Sequence, residues 1–149
     1  MIETNAIIGG ESSGGLTVRG HIQGKDGIYA AALLVEMLAT TGRKLSEIYS
    51  EITDKYGIFE MEEADFSFSN EKKDEIMQIL FADKLLPDFT DEIAKVSYID
   101  GCKVFFRNGG WIIARFSGTE PLLRIFCEMS SRKAAQDKIE TFKQFLSVS

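Results

Sequence analysis

Between residues 28 and 38 nearly every position is apolar: Ile28, Tyr29, Ala30, Ala31, Ala32, Leu33, Leu34, Val35, Met37 and Leu38, with only Glu36 interrupting. A helix predicted over 27–40 is therefore apolar almost all round and has to be covered on more than one side. Asp26 stands where it can cap that helix. A second helix, capped by Ser46 and ended by Gly57, carries Ile48, Tyr49, Ile52 and Tyr56 at helical spacing. From Ile58 alternation takes over, and 59–68 reads as a strand, 70–81 as a helix, and 84–92 as a loop with Pro87 and several acids. Three closely spaced strands follow, 94–99, 103–106 and 110–116, separated by Asp100-Gly101 and Asn108-Gly109, which are strong hairpin dipeptides. The chain closes with a strand over 122–129 and a helix over about 131–146 that shows Ala135, Ile139, Phe142 and Leu146 on one face.

The domain after residue 57 is expected to be of β-α-β-β-β-α type, an α+β arrangement, while the segments read off singly give one strand more before the last helix. A small antiparallel sheet with both helices on one face would bury an aromatic-rich set: Phe66, Phe68, Phe105, Trp111, Phe126, Phe142 and Phe145. The N-terminal part looks incomplete by comparison. A strand end at 5–8, a loop with four glycines among residues 9–15 and a short extended stretch at 16–19 cannot cover the apolar helix. Its sheet is expected to lie outside this chain. The organisation expected is a domain remnant over 1–57, including a linker helix, and a full small domain over 58–149.

Composition narrows the function classes. With 149 residues, 44% hydrophobic and 27% charged, the chain suits one compact domain or one domain plus part of another. Its net charge of -6, with no run of five or more Lys and Arg, offers no footprint for nucleic acid or an anionic membrane. The longest apolar stretch, 28–35, is too short to cross a bilayer, and the N-terminus lacks the pattern of a signal peptide. A cytoplasmic location is expected. Cys102 and Cys127 lack metal-ligand spacing and read as small buried hydrophobes.

The candidate chemistry is anion capture. Arg115-Phe-Ser-Gly-Thr-Glu-Pro121, followed by Arg124, gathers two guanidiniums, the hydroxyls of Ser117 and Thr119 and the amides of a turn containing Gly118, the donors that hold a phosphate. The plain reading of Arg115 and Arg124 is a surface ion pair with Glu120 or Glu128. Gly10-Glu-Ser-Ser-Gly14 formally fits a nucleophile elbow, but His21 lies only 11 residues after Gly10 and the acid and base of that fold belong far downstream. Neither G-x-G-x-x-G nor G-K-[ST] occurs, so dinucleotide and P-loop sites are excluded. By itself Glu11-Ser12-Ser13 reads as a solvated turn, and Lys25-Asp26 as a helix cap beside an exposed lysine.

Two motifs in order carry a resemblance. Arg115-Phe-Ser-Gly-Thr-Glu-Pro121 with Arg124 resembles the phosphate-binding loop in the fourth domain of the α-D-phosphohexomutases, the phosphoglucomutase and phosphomannomutase family. Gly10-Glu-Ser-Ser-Gly-Gly15 resembles the sugar-recognition loop of the third domain, and His21-Ile-Gln-Gly-Lys-Asp-Gly27 the segment after it. The resemblance implies that Glu11 and Ser13 read sugar hydroxyls, with Lys25 and His21 nearby. It implies that Arg115, Ser117, Gly118, Thr119 and Arg124 grip the phosphate that is not being transferred. Ser12 departs from the Glu or Lys usual between the two sugar-reading residues. Catalysis in the family uses a phosphoserine of the first domain, a hexose bisphosphate intermediate and Mg2+. No Ser-His-Asn-Pro loop and no Asp-Gly-Asp metal loop occurs in these residues. The expectation is thus a C-terminal fragment that holds hexose phosphates, works with upstream domains of the same enzyme, binds no cofactor of its own and is inactive as a mutase alone. Magnesium is expected for the full-length enzyme. The rival is a stand-alone, non-catalytic module that binds sugar phosphates or docks on another protein.

Overall fold

The computed structural model describes residues 5–10, 14–118 and 122–148. The chain divides into two compact units, Met1–Lys55 and Tyr56–Ser149.

In the first unit β1 (Ile8–Gly10) pairs antiparallel with β2 (Leu16–Val18), Ile8 opposite Val18 and Gly10 opposite Leu16. The chain then turns through residues 19–26 into α1 (Gly27–Thr41). Asp26 caps this helix as predicted, its carboxylate accepting from the Tyr29 N–H at 2.9 Å. Gly42 closes it at φ 65°, a left-handed conformation that a residue with a Cβ adopts only with strain. No residue of α1 is buried, and Ile28 and Val35 are 87% and 67% exposed. α2 (Leu45–Tyr56) begins one residue before the expected cap, so Ser46 lies inside its first turn. The Lys44 carbonyl accepts from the Glu47 and Ile48 amides, and the Glu47 carboxylate reaches back to the Lys44 N–H at 3.0 Å. A glutamate three residues beyond the cap position does this work without a serine.

The second unit is a five-stranded antiparallel sheet in the order β3-β7-β6-β5-β4, built from β3 (Glu60–Ser67), β4 (Ile93–Ser97), β5 (Cys102–Phe106), β6 (Trp111–Phe116) and β7 (Leu122–Met129), so the β-α-β-β-β-α order is corrected to β-α-β-β-β-β-α, each of the five extended segments forming its own strand. α3 (Asn70–Met77) follows β3, capped by Ser69 and continued by one π-helical turn, Gln78–Ala82. α4 (Arg132–Leu146) follows β7, capped by Ser131. Both helices cover one sheet face: Ile76 and Leu80 from one side of the core, Ala135, Ile139, Phe142 and Leu146 from the other, meet Val104, Ile112, Leu123, Ile125 and Cys127. Burying each large side chain contributes about 1.5–3 kcal/mol, so this layer dominates the stability of the unit.

The aromatic set divides between the two faces. Phe66 and Phe142 are buried, and Phe68 and Phe145 pack partly against the core. Phe105, Trp111 and Phe126 sit on the opposite face, half-buried, a correction to the expected core. Their places inside are taken by Phe106, on which Phe89 stands edge-on at 5.1 Å, and by Phe116, which Phe68 meets edge-on at 5.5 Å. On the outer face the Lys103 Nζ lies 3.8 Å from the Trp111 ring centre, and the Trp111 indole N–H donates to Glu128 at 2.9 Å.

Candidate functional site

β6 and β7 bring the two arginines together. Their register sets Arg115 directly opposite Arg124, and Asp65 of β3 opposite Arg124 on the other side. Like charges facing one another across an antiparallel pair repel, so this placement has to be offset by negative charge. Part of it is resident. Arg115 Nη1 donates to Asp100 Oδ2 at 3.0 Å, and Arg124 Nε stands 3.8 Å from Asp65 Oδ1. Among the described residues these two carboxylates stand beside the arginines. Glu128 instead accepts from Trp111, and Glu120 lies outside the described residues.

Asp100 reaches Arg115 because the β4–β5 turn lies against β6. Gly101 has φ 92°, and a Cβ there would come within 2.6 Å of the Ala114 carbonyl oxygen and 2.7 Å of the Arg115 Cβ. At the mouth of the loop the Ser117 N–H donates to the Leu122 carbonyl at 2.9 Å, closing the turn between β6 and β7 and fixing where the segment starts and ends. Ser117 is half-buried and Gly118 exposed. Thr119 lies outside the described residues. Guanidiniums are the groups that can meet an anion in paired hydrogen bonds, and two of them stand on neighbouring strands beside this turn.

The second cluster belongs to the first unit. His21 and Lys25 line a cavity of about 890 Å³ together with Thr17, Arg19 and Gln23. The loop that carries them is fastened several times. Thr17 Oγ1 donates to the Gly24 carbonyl at 2.9 Å, and the Asp26 N–H to the Leu16 carbonyl at 2.9 Å. His21 Nε2 meets Asp26 Oδ2 at 2.8 Å, while its ring stacks on Tyr29 with centres 4.1 Å apart. The hydrogen bond from His21, with the Tyr29 amide second, holds the Asp26 carboxyl below the usual carboxylate range. Arg19, unremarked in the sequence pattern, meets Asn5 in the same lining, donating to its carbonyl at 3.0 Å and its side-chain oxygen at 2.9 Å. Glu11, Ser12 and Ser13 lie outside the described residues. Among the described residues no group of three or more His, Cys, Asp or Glu side chains is gathered to hold a metal ion.

Two family models match in chain order. Residues 1–56 match "Phosphoglucomutase/phosphomannomutase, alpha/beta/alpha domain III", and residues 47–143 match "Phosphoglucomutase/phosphomannomutase, C-terminal domain". The chain belongs to the phosphoglucomutase/phosphomannomutase family. It is 31% identical over 140 residues to a phosphoglucomutase/phosphomannomutase of Thermococcus kodakarensis, covering 94% of this chain and 28% of that protein. A probable phosphoglucosamine mutase of Methanosarcina acetivorans is 40% identical over 123 residues, covering 83% of this chain and 25% of its own. A crystal structure of a phosphoglucomutase/phosphomannomutase family protein from Burkholderia thailandensis shares the fold, with TM-score 0.63 and 23% identity over 98% of this chain and 30% of that one.

The chain thus spans 25% and 28% of the lengths of these two mutase relatives. As a member of the phosphoglucomutase/phosphomannomutase family it holds the end of the α/β/α domain III and a C-terminal domain of mixed α/β type. Both of its charged clusters fall within matched residues: His21 and Lys25 in the first model, Arg115 and Arg124 in the second. Among the described residues no helix is long and apolar enough to cross a membrane.

Proposed function

We propose that this chain supplies substrate recognition to a phosphohexomutase: it reads sugar hydroxyls with one unit and anchors a hexose phosphate with the other, in the cytoplasm. The observation that carries the phosphate half is the pairing of Arg115 with Arg124 across β6 and β7, at the mouth of the loop that contains Ser117, Gly118 and Thr119. Opposed guanidiniums supply four or more N–H donors to one dianion, and charge-assisted bonds of this kind are about twice as strong as neutral ones. Glu11 and Ser13 take the sugar half, with Lys25 and His21 nearby, a carboxylate accepting from vicinal hydroxyls while a serine both donates and accepts.

This division of labour suits a substrate that has to be held in two orientations. A phosphate anchor on the C-terminal domain is indifferent to whether the phosphate sits on C1 or C6, and contacts with hydroxyls common to both poses keep the ring in register. The contribution is positioning. Phosphoryl transfer itself, through an enzyme phosphoserine and a hexose bisphosphate, would be carried by upstream domains of such an enzyme. Magnesium would neutralise charge on the transferring group in that chemistry, and among the described residues no group of three or more His, Cys, Asp or Glu side chains is gathered to hold it.

The test is direct binding. Glucose 1-phosphate, glucose 6-phosphate and inorganic phosphate are titrated into the 149-residue chain while the arginine side-chain NMR signals are followed. All three ligands should move the Arg115 and Arg124 signals, and Arg115→Ala should weaken binding roughly tenfold or more, the loss expected for a charged hydrogen-bonding partner. Arginine signals that ignore all three ligands would sink the phosphate-anchoring role.

A further inference from the structure

We propose that His21 and Asp26 form a clasp whose purpose is to hold Lys25 in place, so that His21 acts on the substrate through the lysine loop and not by touching sugar. The inference rests on the reading of Lys25 as a sugar-phosphate contact. It starts from an economy in the use of one carboxylate. Asp26 Oδ1 accepts from the Tyr29 N–H at 2.9 Å and so starts α1, while Asp26 Oδ2 meets His21 Nε2 at 2.8 Å. Both oxygens are in use, and the single side chain next to Lys25 fixes the helix behind it and the loop in front of it.

The imidazole is held on two sides. Its Nε2 edge is committed to Asp26 and its ring lies nearly parallel to Tyr29, 20° apart at 4.1 Å, in the first turn of the same helix. A ring held by Tyr29 and spending its Nε2 on a carboxylate has surrendered much of what it would offer a sugar hydroxyl. Two further bonds complete the frame: Thr17 Oγ1 to the Gly24 carbonyl, and the Asp26 N–H to the Leu16 carbonyl. Residues 21–26 thus form a small closed ring of chain with Lys25 one step from its knot. Gly20, at φ 88°, lets the chain enter that ring by a bend that other residues make only with strain.

A long, flexible lysine is costly to immobilise. Ordering such a side chain costs rotamer freedom, and a backbone that wanders adds to that cost on every binding event. Fixing the backbone of Lys25 in advance lowers the cost of binding without adding any contact to the ligand. The clasp is the device that does so.

The experiment has two arms. In the first, without ligand, backbone heteronuclear NOEs of Gln23, Gly24 and Lys25 are compared in the wild-type chain, His21→Ala and His21→Gln. Loss of order in the alanine variant and its retention in the glutamine variant, whose amide N–H still reaches Asp26, is the expected pattern; equal NOEs in all three would overturn the clasp. In the second, glucose 1-phosphate affinity is measured in a cycle of His21→Ala, Lys25→Ala and the double variant. A positioning role predicts a roughly fivefold to tenfold loss for each single variant and no further loss in the double, because residues acting as one unit are not additive. Additive losses would mean that His21 touches the ligand itself, and would overturn the proposal. Failure of the wild-type chain to bind any hexose phosphate would remove the functional reading and the positioning role with it, whereas the first arm would still report on the clasp as architecture.

Discussion

Arg115 and Arg124 face each other at adjacent strands, and each is met by a carboxylate from the outer flank, giving the row Asp65, Arg124, Arg115 and Asp100. On the proposed function, this row places two carboxylates beside the phosphate anchor. The Arg115–Asp100 pair is well exposed and contributes about 0–1 kcal/mol at most, small enough for an incoming phosphate to displace, whereas the Arg124 Nε beside Asp65 is itself buried. Asp100 is then a competitor for Arg115. Asp100→Asn should tighten inorganic phosphate binding by about two- to fivefold, measured by calorimetry at low salt, because it removes a negative charge beside the ligand and releases Arg115 Nη1. Weaker binding in this variant would show that Asp100 holds the guanidinium in its receiving pose. The flanking acids could not be paired with these arginines from sequence spacing: Asp65 is 59 residues from Arg124, and only the β3–β7 register joins them.

At the scale of elements, the β4–β5 turn is where fold and site meet. Gly101 approaches β6 so closely that a methyl group would collide with the Ala114 carbonyl and the Arg115 Cβ, and its φ of 92° disfavours any L side chain. Gly101→Ala should therefore destabilise the chain by ~2 kcal/mol or more, seen as a lowered urea midpoint, and should loosen Arg115 with it. Gly109→Ala, in the next turn with φ 92° but nothing within 4 Å, should cost less. Asp100-Gly101 was readable as a hairpin turn because the dipeptide supplies the conformations such turns need, and every strand and helix of the second unit was legible to within a residue or two for similar reasons of period and punctuation. The π-helical turn at Gln78–Ala82 was not, since the buried Ile76 and Leu80 that lead into it lie four residues apart, the spacing of an α-helix. Which face each strand buries was legible in part. Lys103 precedes Phe105 by two residues and Arg124 precedes Phe126 by two, so the charges mark the wet parity, yet aromatic size drew Phe105, Trp111 and Phe126 into the expected core. The role of Lys138 had no signal at all. It is buried in α4, where its ammonium meets Asp91, hydrogen-bonds Thr90 at 2.8 Å and faces the Phe89 and Phe106 rings, fastening the loop before β4 to the helix layer.

Taken as a whole, the molecule has its burial concentrated in one unit. Every buried hydrophobic residue belongs to the second unit among the described residues, whereas α1 and α2 bury none. Those apolar flanks are what either reading of the chain has to cover, with the rest of a domain III or with a docked protein, and the family match gives domain III as the surrounding to which α1 belongs. The uneven burial also gives a built-in reporter of global opening. Cys102 and Cys127 stand in neighbouring regions of the same core, on β5 and β7, both fully buried. Burial pushes the Cys102 thiol up to about 11, against a small opposing pull from its hydrogen bond with Tyr98, and pushes the Cys127 thiol up to about 12. Reaction with a thiol reagent needs the thiolate, and at neutral pH the folded unit offers neither thiolate nor access. Both cysteines should therefore stay unmodified by iodoacetamide at pH 8 in the native chain and react together as urea crosses the midpoint of unfolding of the second unit, read by intact mass. Loosening of the first unit alone should leave them untouched. If one cysteine reacts well below that midpoint, the sheet opens strand by strand, and β5, whose edge neighbour β4 has five residues and an irregular register where β7 has the eight-residue edge strand β3, should be the one that yields first.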